Sequence, residues 1–257
     1  MDMFNWIQFH YFGAISVFFG IVATILAYRR KPKMSFLCAL MQIFFIACFI
    51  IGFWIMLDRP PFKTTGETRL WFSLFMPIAG LIAYKAWNYR WMLLYGTLIS
   101  TVFICLNIFK PEIHSKELMP ALQSIWFVPH VAMYMLSYAF LGAAFIIACV
   151  YIFKQNMALL RSADTFVMIG IAFLTIGMML GSIWAKVAWG DFWTWDVKET
   201  WALITWLSYI FYIHLRKYDK KHKKIAIFVL ILSFLFLQVC WLGVDYLPTA
   251  AGSMHTY

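Results

Sequence analysis

The sequence predicts an all-α membrane protein, a bundle of about eight transmembrane helices with both termini on the outer side. Three observations carry that expectation. The 257 residues are 64% hydrophobic and only 12% charged, where a soluble domain carries about 25% charged residues. The apolar residues fall into runs, each long enough for a bilayer span of ~20 residues. Basic residues also gather on alternate connections. With the N-terminus outside, the inner connections hold 14 of the 21 Lys and Arg, but only Asp164 and Asp219 of the 11 acids. That is the bias expected of short cytoplasmic loops.

Charged punctuation separates the expected helices. The first, 11–28, is closed by Arg29 and Arg30, and the second, 35–57, by Asp58 and Arg59. The third and fourth, 70–87 and 91–109, are divided by Asn88, Tyr89 and Arg90. An outer connection, 110–126, leads to the fifth at 127–153, and the sixth follows at 165–185. The seventh and eighth, 200–215 and 224–243, flank the basic run "RKYDKKHKK". The opening "MDMFNWIQFH" lacks the basic n-region of a signal peptide, so the first helix is expected to be retained. No repeat or separable soluble domain is visible, and 1–257 reads as a single polytopic membrane domain.

These features exclude several functions. The net charge of +10 follows from topology, because a nucleic-acid binder needs a basic face on a soluble module. Cys38, Cys48, Cys105, Cys149 and Cys240 all fall in spans and form no Cys-x-x-Cys pair. They read as small buried apolar residues. A solute transporter is expected to bury acids near the midplane, and the spans here are nearly free of them.

Polar chemistry gathers instead in two outer connections. In 110–126, Ile113, Leu118, Leu122 and Ile125 are spaced for a short surface helix. In 186–199, indoles alternate with charges. Six of the 13 tryptophans lie in the 23 residues from Trp184 to Trp206. An aromatic belt at the headgroup level explains Trp6, Trp71, Trp91 and Trp126. It does not explain indoles interleaved with Asp191, Asp196, Lys198 and Glu199. That pattern suits a platform for a large flat ligand, packed on indole faces, with Lys186 and Lys198 near its carboxylates. Asp196 and Glu199 also have the spacing of an N-cap and its N3 partner at the start of the seventh helix.

A flat ligand with carboxylates suggests haem, whose iron takes axial nitrogens. Of the six histidines, His10, His114, His130 and His255 lie on the expected outer side. His130 follows Pro129, a residue suited to a first helical turn, and its imidazole is expected to face the outer loops. His255 stands in the C-terminal "GSMHTY", and His222 in the basic run. His214 differs, because at ~1.5 Å per residue it lies roughly 20 Å along its helix from Trp201. An ionisable residue at that depth points to function, with snorkelling beside Arg216 and Lys217 as the alternative.

The segment "WGDFWTWDVKETWALITWL" resembles the WWD signature of haem-handling membrane proteins of cytochrome c maturation. The match runs through Trp189, Gly190, Trp193, Trp195, Asp196, Lys198, Glu199 and Trp201. The continuation "YIFYIHLR", the outer "WFVPHVAMYMLSYA" and the closing "MHTY" narrow the resemblance to the CcsA/ResC family, the membrane subunit of the system II cytochrome c synthase. It extends over most of the chain and is strongest over 124–257.

The resemblance implies that a segment at about 184–206 binds haem b on the outer face through Trp189, Trp193, Trp195, Asp196 and Trp201. It implies that His130 and His255 supply the axial ligands, and that His214 holds haem nearer the inner side. The implied activity is presentation of haem for thioether attachment to the Cys-x-x-Cys-His of an apocytochrome c, as part of a cytochrome c haem lyase. The implied setting is the bacterial cytoplasmic membrane or an equivalent energy-transducing membrane.

Two features depart from the family pattern. Val197 stands where proline is usual, at the first position of a helix. His214 has no second mid-depth histidine in this chain, so its partner is expected on a CcsB/ResB-type subunit. The alternatives are a system I-type haem delivery protein without ligation, and a membrane cytochrome that retains haem for electron transfer.

Overall fold

A computed structural model describes residues 5–115, 124–218, 222–243 and 246. Among these residues the regular structure is helical, with no strand. Eight long helices are present: α1 (Trp6–Tyr28), α2 (Pro32–Leu57), α3 (Thr65–Trp87), α4 (Arg90–Phe109), α6 (Phe127–Lys154), α7 (Met157–Trp189), α8 (Val197–Tyr218) and α9 (Lys223–Gln238). A single turn, α5 (Glu112–Ser115), follows α4, and a π-helical turn, Val239–Gly243, continues α9. Seven of the eight long helices are long and apolar enough to cross a membrane. The exception is α8, whose 22 residues include Lys198, Glu199, Arg216 and Lys217.

Most of the helices start earlier than the charges suggest, and several stop later, because capping decides their ends. Asn5 accepts the amides of Ile7 and Gln8 and starts α1 at Trp6, which places His10 inside the helix. A reciprocal capping box between Thr64 and Glu67 starts α3 at Thr65. Asn156 caps α7, which runs 33 residues to a left-handed Gly190 at φ 96°. At ~1.5 Å per residue α7 is roughly 50 Å long, well beyond the ~30 Å hydrocarbon core.

The chain forms two compact units, Met1–Leu118 and Met119–Tyr257. In the first, each of α1 to α4 packs on its sequence neighbour and α4 returns to α1. In the second, α6 to α9 close in the same order, α9 returning to α6.

The first unit is held by backbone-level packing. Pro77 interrupts α3, and a proline leaves the carbonyl four residues earlier without its amide. That carbonyl belongs to Ser73, and the Ser100 hydroxyl of α4 donates to it at 2.7 Å. Helices α3 and α4 approach closely at Gly80 and Gly96, where a Cβ would stand 2.6 Å from the Met92 carbonyl and 2.8 Å from that of Met76. Buried Gln42 of α2 joins α1 and α4, its carbonyl accepting from Ser16 at 2.9 Å and its Oε1 from Thr97 at 3.2 Å.

In the second unit α6 lies along a glycine row of α7. A Cβ on Gly170 would meet the Leu141 side chain at 2.6 Å, and one on Gly177 the Tyr134 ring at 2.4 Å. The Ser137 hydroxyl donates to the Gly170 carbonyl at 2.8 Å. Small residues facing bulky ones let helices approach where lipid offers no hydrophobic drive.

Candidate functional site

The chemistry-bearing residues of the second unit gather at one end, where α7 stops, the tryptophan loop follows, and α8 begins. Gly190 ends α7, and the Lys186 ammonium donates to its carbonyl. The same ammonium lies 5.4 Å from the Phe192 ring centroid. Lys186 is therefore engaged within the loop, a use its expected pairing with a carboxylate did not include.

Glu199 organises the loop. It is 9% exposed, and its Oε2 accepts from the Thr194 amide at 2.8 Å, the Thr194 hydroxyl at 3.3 Å and the Asp196 amide at 3.2 Å. Asp196 in turn accepts the Lys198 amide at 2.9 Å. Asp196 and Glu199 thus form the cap-and-return pair expected from their spacing, with the Asp196 side chain reaching the second helical amide. Val197 occupies the first helical position. Between the two acids' contacts, Trp195 adopts a left-handed backbone at φ 60° and leaves its ring 67% exposed. Trp193 meets it edge-on at 5.9 Å.

His130 is fixed on the glycine row. Its Nδ1 is 2.8 Å from the Gly177 carbonyl. A carbonyl only accepts, so Nδ1 carries the proton in this bond. The imidazole stacks on Trp184 at 5.7 Å and 19° and lies 4.5 Å from the Tyr134 ring. Gly181 makes room for it, since a Cβ there would stand 2.7 Å from Nδ1 and Cε1. The ring thus packs on α7 beside Trp184. Trp184 is buried and meets Trp189 edge-on at 4.6 Å, so His130, Trp184 and Trp189 form a continuous run of aromatic contacts.

Other indoles serve the frame. Trp201 packs on Phe236 of α9 at 5.8 Å, and Trp206 donates to the Thr175 hydroxyl at 2.9 Å. The π-helical turn reaches the same end, with Cys240 Sγ 3.7 Å from the Lys198 carbonyl and the Trp241 ring 5.6 Å from Tyr138. His255 lies outside the described residues.

His214 lies near the far end of α8. It is exposed, and its Nδ1 donates to the Ile210 carbonyl at 2.9 Å. It shares an outward stripe with Leu207, Phe211 and Tyr218, all at least half exposed. This end of α8 is pinned by Asp164 of α7. The Asp164 carboxylate accepts two bonds from Arg216, at 2.8 and 2.7 Å, and one from the Tyr212 hydroxyl at 2.6 Å.

In the first unit, His114 stacks on Trp6 at 3.7 Å and 5°, a contact that gives Trp6 more than a belt role. Burial lowers the His114 pKa below its ordinary 6.5, opposed in part by the bond to the Asn107 backbone and by Glu112, with His10 a still smaller lowering effect. Asn107 is 1% exposed, and among the described residues neither end of its carboxamide has a partner. Neither His114 nor Asn107 was marked for chemistry by sequence spacing, because both depend on folding α5 back onto α3.

The family described as Cytochrome C assembly protein matches residues 7–250. The cytochrome c biogenesis protein CcsA of Pelargonium hortorum is 29% identical over 270 residues, covering 85% of this chain and 84% of that protein. The CcsA of Prochlorococcus marinus (strain AS9601) is 31% identical over 196 residues, 62% of each chain. The CcsA of Chlamydomonas reinhardtii is 34% identical over 181 residues and 63% of this chain, and only 50% of that longer protein is spanned. Among solved structures, a chain titled Cytochrome c Heme Lyase CcmF superposes with a TM-score of 0.59 at 17% identity, over 90% of this chain and 46% of that one. The two share a fold.

Proposed function

The chain belongs to the cytochrome C assembly protein family, and from that premise we propose that it binds haem b at the tryptophan loop and presents it to an apocytochrome c. It is an integral membrane protein with several spanning helices. In this reading all eight long helices span the bacterial cytoplasmic or an equivalent membrane, with the loop on the outer side.

The observation that carries the proposal is the state of His130. Donation from Nδ1 to Gly177 orients the ring, and Nε2 is the nitrogen that would take iron, the arrangement usual for ligating histidines. Trp184 stacks on its ring and Trp189 meets Trp184 edge-on, within the unit that carries Trp193, Trp195, Asp196 and Trp201. His255 supplies the second axial nitrogen. When bound, haem supplies two vinyl groups to the thiols of Cys-x-x-Cys-His. Each thiol adds across one vinyl, forming a C–S bond and placing its proton on the neighbouring carbon, with no net oxidation. The protein's part is orientation and exclusion of water.

His214 holds haem earlier in its route. Its exposure on a stripe of apolar residues supports a second ligand contributed by a CcsB/ResB-type subunit lying against α8. The chain then acts as one half of a haem lyase.

The test is co-expression with that subunit and an apocytochrome carrying Cys-x-x-Cys-His. His130→Ala, His255→Ala and Trp193→Ala are each expected to abolish covalent attachment, with haem affinity falling more for the two histidines. Unchanged holocytochrome yield in the double histidine variant would overturn the ligand assignment. His214→Ala is expected to lower co-purifying haem, and added imidazole to restore part of it.

A further inference from the structure

The first unit carries a cavity of about 220 Å³ at the end where α1 turns into α2 and α3 into α4, lined by Ala27, Arg30, Pro32, Tyr84, Asn88 and Arg90. Both turns are tight. Arg30 and Asn88 take left-handed backbones, at φ 58° and 57°, which holds the two arginines on short, fixed connections. Neither guanidinium has a hydrogen bond or ion pair with another described residue. The Tyr84 residue is 7% exposed, and its hydroxyl likewise has no partner among the described residues. Helix α4 opens beside the cavity with no side chain capping its first amides, so its positive dipole end adds to the field.

No described acid of the unit balances this end. The described acids of the unit, Asp58, Glu67 and Glu112, all lie toward its opposite end, while Arg29, Lys31 and Lys33 flank the cavity. Lys85 is drawn instead to the Phe36 ring, 5.0 Å away. The surroundings favour one source of anion. Ile25 and Tyr28 near the end of α1 and Met34 and Leu37 near the start of α2 are about half exposed, apolar side chains on the helix ends that carry the cationic donors, as where headgroups meet hydrocarbon. The volume equals about seven waters, enough for a phosphodiester with part of its glycerol and far too little for a porphyrin.

We propose that the cavity between Arg30 and Arg90 binds the phosphoryl group of an anionic phospholipid. Paired guanidiniums grip phosphate oxygens through parallel N–H donors, and basic pockets between membrane helices suit such headgroups. The site is independent of the haem assignment, because none of its residues belongs to the second unit.

The test uses the delipidated full chain in neutral detergent, titrated with dioleoylphosphatidylglycerol, dioleoylphosphatidylcholine or inorganic phosphate. Binding is read by thermal melting and by lipid adducts in native mass spectrometry. Phosphatidylglycerol is expected to raise the melting temperature and phosphatidylcholine to do so much less. Arg30→Gln and Arg90→Gln are each expected to weaken phosphatidylglycerol binding roughly fivefold, from about 1 kcal/mol per basic residue. Lys33→Gln, outside the cavity, should change it little. Stabilisation by inorganic phosphate alone, lost in both arginine variants, would support the phosphoryl site with a soluble source. Equal losses in Lys33→Gln and the arginine variants would reduce the site to diffuse surface charge and overturn the proposal, as would phosphatidylglycerol adducts unchanged in folded Arg30→Gln/Arg90→Gln.

Discussion

The His130 imidazole donates to the Gly177 carbonyl at 2.8 Å, across 47 residues of chain, and lies in a gap that only Gly181 leaves open. One histidine is thus oriented by a bond to one glycine and given room by another.

Gly181→Ala therefore tests the site without touching a ligand. Its Cβ would stand 2.7 Å from the ring, closer than side chains tolerate, so the imidazole must move and strain or lose the Gly177 bond. We expect haem affinity to fall about tenfold to a hundredfold, the range for disturbed orientation of a ligating histidine. The readout is a shifted, weakened Soret band in a variant whose melting temperature falls little. Ala at Gly243, where a Cβ meets nothing closer than 3.4 Å, should leave the spectrum unchanged.

Glu199 sets the shape of the tryptophan loop through three accepted hydrogen bonds. Glu199→Ala leaves the Thr194 and Asp196 amides unsatisfied, at a cost of about 1–3 kcal/mol. Melting temperature should drop, and tryptophan fluorescence should shift to the red as the loop loosens. Glu199→Gln keeps an acceptor oxygen and should recover most of the loss.

Much of this fold is legible in the sequence, for identifiable reasons. Apolar runs and charged punctuation mark the long helices, because the bilayer penalises any charge left inside. Helix ends are less legible, since Asn5, Thr64 and Asn156 extend helices past the first polar residues. The Asp196–Glu199 cap is readable because it is local. The His130–Gly177 bond and the Trp6–His114 stack join residues far apart in the chain, and no spacing rule connects them.

Ser100 and Pro77 should be coupled. Ser100→Ala strands the Ser73 carbonyl that Pro77 leaves without an amide and should cost about 1 kcal/mol. In a Pro77→Ala background the helix supplies its own donor, so the same Ser100→Ala change should cost much less. A double-mutant cycle on the melting free energy measures the difference. Additive losses would show that the hydroxyl does not replace the missing amide.

His114 gives the first unit a pH response of known sign. Burial lowers its pKa below 6.5, so between the folded value and 6.5 the unfolded chain binds more protons. Stability is then full above about pH 6.5 and declines as pH falls through that window. Melting at pH 5.5 and 7.5 should show the loss in wild type and a smaller one in His114→Gln.

Helix α8 is continuous from Val197 to Tyr218 and carries a working residue toward each extremity, Glu199 gripping the indole loop and His214 facing outward some 15 positions on. An unbroken helix neither stretches nor telescopes. Any sliding of α8 against the Asp164 anchor therefore moves loop and imidazole together by the same distance, so the two ends report on each other mechanically.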